Sequence, residues 1–149
     1  MHAGARGGSL SGVDVRTETV IERPVAEVAA YAADPANAPE WYANIDSVVV
    51  RGAQATFVAR FLGRRLEYTY ELVEVEPGAR LVMRTAQGPF PMETTYEWTA
   101  VDERSTRMTL RNRGEPAGFS KLVAPLMAPA MRRANRKDLA ALKRILEAR

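Results

Sequence analysis

The sequence holds no cysteine, and its one histidine, His2, stands near the N-terminus. Disulfides, thiolate nucleophiles and sulfur ligands are therefore excluded. So are the Ser-His-Asp and Cys-His arrangements of nucleophilic catalysis, which need a histidine inside the fold. A metal site would have to be built from carboxylates alone, and none is expected. No apolar run approaches the length that crosses a bilayer, so no membrane span is expected. The opening stretch MHAGARGGSLSG lacks the apolar centre of a signal peptide. Its glycines follow no strand and so form no phosphate-binding loop, and no cofactor is expected. A cytoplasmic protein with a flexible tail over residues 1–12 is the expectation.

What remains is a single domain of ordinary composition. Residues 13–149 are enough to bury one core, and 46% of the chain is apolar. The formal net charge is +3. Much of the positive surplus gathers at the C-terminal end, in Arg132, Arg133, Arg136, Lys137, Lys143, Arg144 and Arg149. No aromatic residue is interleaved with these charges, as a binder of single strands would need. They form the solvated face of a helix, and no nucleic-acid partner is expected.

Residues 117–148 read as one long helix. Phe119, Leu122, Val123, Leu126, Met127, Ala130, Met131 and Ala134 share about half of the helical wheel. After Asn135 the apolar set becomes Leu139, Ala141, Leu142, Ile145 and Leu146, its centre turned by roughly a quarter. Pro125 and Pro129 each remove a backbone donor and crowd the preceding turn. They predict an irregular segment up to about Pro129 and a regular helix after it. Asn135 and Asp138 fall inside the apolar arc. A buried charge needs a partner, and the expected one for Asp138 is an arginine or a donor at a strand end rather than a ligand.

Ahead of that helix the chain is mostly strand. Val13, Val15, Thr17, Thr19 and Ile21 alternate onto one face of an opening strand. Pro24 sits where a first helical turn tolerates it, and Val25, Val28, Ala29 and Ala32 have helical spacing. Asp34 and Pro35 form the N-cap and first position of a second short helix, which ends at Trp41 and Tyr42.

From Ile45 to Arg113 strands alternate with tight turns. A two-residue turn at Gly63-Arg64 would set Phe61 opposite Leu66, Ala59 opposite Tyr68, Phe57 opposite Tyr70 and Arg60 opposite Glu67. A turn at Pro77-Gly78 sets Leu72 opposite Met83, Tyr70 opposite Thr85 and Glu71 opposite Arg84. A connection over residues 87–90 sets Met83 opposite Thr94, Leu81 opposite Tyr96 and Arg84 opposite Glu93. The last hairpin turns near Glu103 in one of two registers. In every case the large apolar side chains of these strands share one face. Glu67, Glu71, Glu93 and Glu97 share the other face with arginines, as a solvated charge ladder and not as catalytic carboxylates.

This order, an opening strand, two short helices, a six-strand meander and a long C-terminal helix, resembles the helix-grip fold of the START/Bet v 1-like (SRPBCC) superfamily. Within it the chain is most similar to the polyketide cyclase/dehydrase-like proteins. The residues that carry the resemblance are Glu22-Arg23-Pro24 after the first strand, the helix pair from Val28 to Asp34-Pro35, Trp41, the hairpin from Tyr96 to Thr109, and the helix from Phe119. It implies an α+β fold in which a seven-stranded antiparallel sheet curls around the last helix over an apolar cavity. Ala29 departs from the bulkier apolar residue usual at its position. The family supplies no invariant catalytic residue to carry over, and none is assigned.

A cavity of roughly 300–1,000 Å³, the size of a small-molecule site, is expected between sheet and helix. Its expected lining is Trp41, Phe57, Ala59, Phe61, Tyr68, Tyr70, Met83, Met92, Tyr96, Trp98, Met108 and Leu110, with Leu126, Met127 and Met131 from the helix and Phe90 as a lip. Ala29, Ala59, Ala130 and Ala134 leave space in it. Buried tyrosine hydroxyls need partners, which water, Thr85, Thr94 or an oxygenated ligand could supply. The leading functional reading is a non-catalytic carrier or sensor of an apolar or aromatic small molecule. A cyclase- or aromatase-like enzyme is the second, and an interaction module using the basic helix face the third. An ionisable side chain facing the cavity would favour the enzyme, and a dry apolar cavity the carrier. Oligomeric state is not legible.

Overall fold

The computed structural model describes residues 12–87, 91–115 and 124–149. The tail over residues 1–11, the connection at 88–90 that contains Phe90, and the segment 116–123 that contains Phe119, Leu122 and Val123 lie outside the described residues.

Strand β1 is Val13–Ile21, and its residues alternate between buried and exposed. Helix α1 is Val25–Ala32, a 3-10 turn spans Pro35–Asn37, and α2 is Ala38–Trp41. The Asp34 carboxylate accepts the Ala36 N–H at 3.0 Å and so caps the turn that Pro35 opens. The meander follows as β2 (Ile45–Arg51), β3 (Gln54–Phe61), β4 (Arg64–Glu76), β5 (Arg80–Gln87), β6 (Met92–Asp102) and β7 (Ser105–Gly114), and α3 is Ala124–Glu147. These strands make one seven-stranded antiparallel sheet in the order β1-β7-β6-β5-β4-β3-β2. The fold is the helix grip.

Registers follow the expected turns, with one exception. Tyr70 pairs with Thr85, Glu71 with Arg84 and Leu72 with Met83. That register survives although Glu76 pairs with Arg80 across a three-residue turn, because a bulge at Val73 absorbs the extra residue. Leu81 pairs with Tyr96, Met83 with Thr94 and Arg84 with Glu93. In the last hairpin Tyr96 pairs with Leu110 and Trp98 with Met108. The exception is β3–β4. Phe57 pairs with Tyr68, Ala59 with Leu66 and Phe61 with Arg64, two residues from the expected register. The turn is Leu62-Gly63, both at positive φ, so the glycine takes the second central position of a primed turn and not the first. A shift of two preserves every face. It does place Arg60 opposite Arg65 and not Glu67, and Arg60 bonds Asp46 on β2 instead, at 2.9 Å.

Helix α3 corrects two expectations. It runs regularly from Ala124 with Pro129 inside it. Pro125 lies in the first turn, where its missing N–H would have no helical partner anyway, and Pro129 forfeits one bond without ending the helix. The buried positions Met127, Met131, Asn135, Asp138, Leu139, Leu142 and Leu146 form one continuous stripe. They span about 120° of the wheel, so the drift of the apolar centre toward Leu139, Leu142 and Leu146 stays within one face and needs no break in the helix.

The C-terminal end of α3 is clamped to the end of β1. Arg23 donates to the carbonyls of Glu147 and Arg149, both at 2.7 Å, and Glu147 accepts the Glu22 N–H at 2.8 Å. Lys143 donates to the Val20 carbonyl at 2.7 Å. The Arg23 bond to Glu147 satisfies a carbonyl that the helix leaves open at its end, and the others tie the helix to the end of the strand. They hold this end of the helix against β1.

Candidate functional site

The space lies under the middle of α3. It is a cavity of about 130 Å³ lined by Phe57, Ala59, Phe61, Tyr68, Tyr70, Met83, Met92 and Tyr96 from the sheet, and by Met131, Ala134, Asn135 and Asp138 from α3. Ala38, Tyr42, Asn44, Ile45, Arg60, Thr94 and Asn112 complete the wall. It is smaller than the expected range. The reason is the wall itself: Tyr42, Tyr70 and Tyr96 project into a space that smaller residues would have left open.

Of the expected lining residues, Phe57, Ala59, Phe61, Tyr68, Tyr70, Met83, Met92, Tyr96 and Met131 do line the cavity. Trp41, Trp98, Met108, Leu110 and Met127 are buried core side chains that do not face it. Trp41 instead packs behind the wall, its ring 4.4 Å from that of Tyr42 and 5.8 Å from that of Tyr96. Trp98 stands edge-on to Tyr96 at 6.0 Å. Leu126 is 58% exposed, because it lies about 100° around the helix from Met127. Of the four alanines, Ala59 and Ala134 line the cavity, whereas Ala29 and Ala130 do not.

The polar wall residues were the hard ones to read. Thr94 and Asn112 follow from strand alternation with Tyr96 and Leu110, but polar residues do not announce an inward face. The Thr94 hydroxyl donates to Asn112 Oδ1 at 2.6 Å, and Tyr70 Oη lies 3.5 Å from Thr94 Oγ1. Thr85 serves the backbone rather than a tyrosine; its hydroxyl accepts the Met92 N–H at 2.9 Å. Tyr42 and Tyr96 satisfy each other, their hydroxyls 2.6 Å apart. Burial holds the Tyr42, Tyr70 and Tyr96 hydroxyls above the usual tyrosine range, so all stay neutral donors.

Asp138 has no arginine partner among the described residues. Its Oδ1 accepts the Ala43 N–H, just ahead of β2, at 2.9 Å. Burial pushes its carboxyl up from 3.8 to about 6, against the opposing pull of the Ala43 N–H and of Lys137. Asn135, one turn earlier, is 4% exposed, and its Nδ2 has no partner among the described residues.

The opposite face of the sheet is the expected charge ladder. Glu93 pairs with Arg84 and Arg113, Glu97 with Arg80, and Asp14 with Arg111. The Arg111 guanidinium lowers the Asp14 carboxyl further. These carboxylates face away from the cavity, and each exposed pair is worth little. Among the described residues no group of acidic or histidine side chains could hold a metal ion. No helix among them is long and apolar enough to cross a membrane.

Comparison with known proteins agrees with this architecture. A family described as polyketide cyclase/dehydrase and lipid transport matches residues 12–147. A solved protein of Thermus thermophilus is 25% identical, with a TM-score of 0.76 over 91% of this chain and 98% of its own. The Zhui aromatase/cyclase of Streptomyces sp. R1128 is 14% identical, with a TM-score of 0.76 over 89% of this chain and 92% of its own. A START superfamily protein of Mycobacterium smegmatis is 14% identical, with a TM-score of 0.68 over 91% of this chain and 94% of its own. For the last two the likeness is one of fold. No curated protein matches the chain.

Proposed function

The chain belongs to the polyketide cyclase/dehydrase and lipid transport family, and from that premise we propose that it binds one small apolar or aromatic molecule between the sheet and α3, as a carrier or sensor. The observation that carries this reading is the cavity, which is walled mostly by aromatic and aliphatic side chains. At about 130 Å³ the cavity has room for one ring; an engineered apolar cavity of about 150 Å³ holds benzene. Transfer of such a ring from water gains roughly 25 cal/mol for each Å² of apolar surface buried.

Two measurements test the reading. Native mass spectrometry of the protein as purified should detect a bound small molecule. Toluene should alter tryptophan fluorescence, because Trp41 and Trp98 pack against wall tyrosines, and should raise Tm with concentration. A protein that carries nothing and ignores toluene has a filled core, and the reading then falls to the surface-interaction one.

Asp138 favours a second reading, an enzyme of the cyclase or dehydratase kind. A carboxyl held at about 6 inside a cavity can give and take a proton near neutral pH. The fold is shared with the Zhui aromatase/cyclase. Incubated with a candidate ligand, a carrier returns it unchanged in its NMR spectrum, whereas an enzyme yields a cyclised isomer or a dehydrated product.

A further inference from the structure

The cavity's polar groups differ in what they leave open. Tyr42 and Tyr96 bond each other, and so do Thr94 and Asn112, each pair at 2.6 Å. None of these needs a ligand to be satisfied. Asn135 does. It is 4% exposed and lines the cavity, and its Nδ2 has no partner among the described residues. A buried amide donor left unpaired loses its hydration with nothing in return. Three residues on, and so on the same face of α3, Asp138 also lines the cavity. Its Oδ1 takes the Ala43 N–H, which leaves acceptor capacity on a group with two oxygens. The helix thus offers the cavity one open donor and one open acceptor about a turn apart.

A hydroxyl is the group that answers both, because it accepts one bond and donates another. We infer that Asn135 and Asp138 form a polar seat for a single hydroxyl on the ligand, and that the ligand is a neutral phenol-class molecule of one ring. The inference rests on the small-molecule reading above and narrows it. Size limits the ring count. Charge excludes the carboxylated analogue: an anion would meet Asp138 in a space where the wall cation among the described residues, Arg60, bonds Asp46 and has a side chain 68% exposed. A bare hydrocarbon would fill the space and leave Asn135 unpaired.

The test is calorimetric titration at pH 7.5, where Asp138 is ionised, with toluene, p-cresol and p-toluate. These probes differ only in the group placed para to the methyl. The native protein should bind p-cresol at least about tenfold more tightly than toluene, the worth of about one net hydrogen bond. It should bind p-toluate not at all. Asn135→Leu, close in volume, should keep toluene binding and reduce the preference for p-cresol to what the Asp138 acceptor alone supplies. Equal affinity for toluene and p-cresol in the native protein, binding of p-toluate, or a preference undiminished in Asn135→Leu would overturn the seat and leave the small-molecule reading standing. Failure of all three probes would remove that reading and the seat together. The comparison on the native protein decides the matter even if the variant does not fold.

Discussion

Tyr42 and Tyr96 share a hydroxyl-to-hydroxyl bond of 2.6 Å across the cavity, one from the end of α2 and the other from the middle of the sheet. Each hydroxyl partners the other, and burial keeps both protonated. Removal of either hydroxyl strands its mate. Tyr96→Phe and Tyr42→Phe should each cost about 1–2 kcal/mol by urea denaturation, and the double variant clearly less than their sum. Additive losses would mean that the two hydroxyls do not depend on each other.

Asp138 should make stability depend on pH in a definite direction. Its folded pKa, about 6, lies above the ordinary 3.8. Its contribution is therefore complete below pH 3.8 and is lost as pH rises through 6. Asp138→Asn keeps an oxygen for the Ala43 N–H and removes the titration. Between pH 4 and pH 7.5 the native protein should lose about 2 kcal/mol relative to this variant. Parallel stability curves would show that the carboxyl titrates as it does in water.

The β3–β4 turn carries a residue that its backbone does not favour. Leu62 stands at φ +52°, beside Gly63 at +77°. Asparagine tolerates the left-handed region better than leucine. Leu62→Asn should raise stability by about 1 kcal/mol with the β3–β4 pairing unchanged by NMR. A loss of stability would show that the partly exposed leucine packs against something worth more than the strain.

Pro129 sits exposed inside α3. Pro129→Ala restores one backbone donor in a helix that is already formed. It should raise stability, by up to about 3 kcal/mol, while circular dichroism stays nearly constant. A marked gain in helical signal would mean instead that the helix is broken at this proline.

The sheet was largely legible in the sequence because its information is local. A strand shows its buried face every second residue, and Phe57, Tyr70, Tyr96 and Trp98 declare that face without reference to any other strand. Turn residues then set the pairing, and even the two-residue error at Leu62-Gly63 moved no side chain across the sheet. Most apolar members of the cavity wall were readable for the same reason. The helix was harder: the wheel placed Asn135 and Asp138 inside the apolar arc, as they are, but Pro125 and Pro129 suggested an irregular start that the helix does not have from Ala124 on. What Asp138 bonds is decided by Ala43, ninety-five residues away in sequence. The volume of the cavity depends on which rings enter it, and on whether they satisfy each other as Tyr42 and Tyr96 do. Alternation and capping are properties of neighbouring residues, so the chain alone determined them. Partners across the core, and the space left between them, arise only when distant segments meet, and tertiary packing alone decided those.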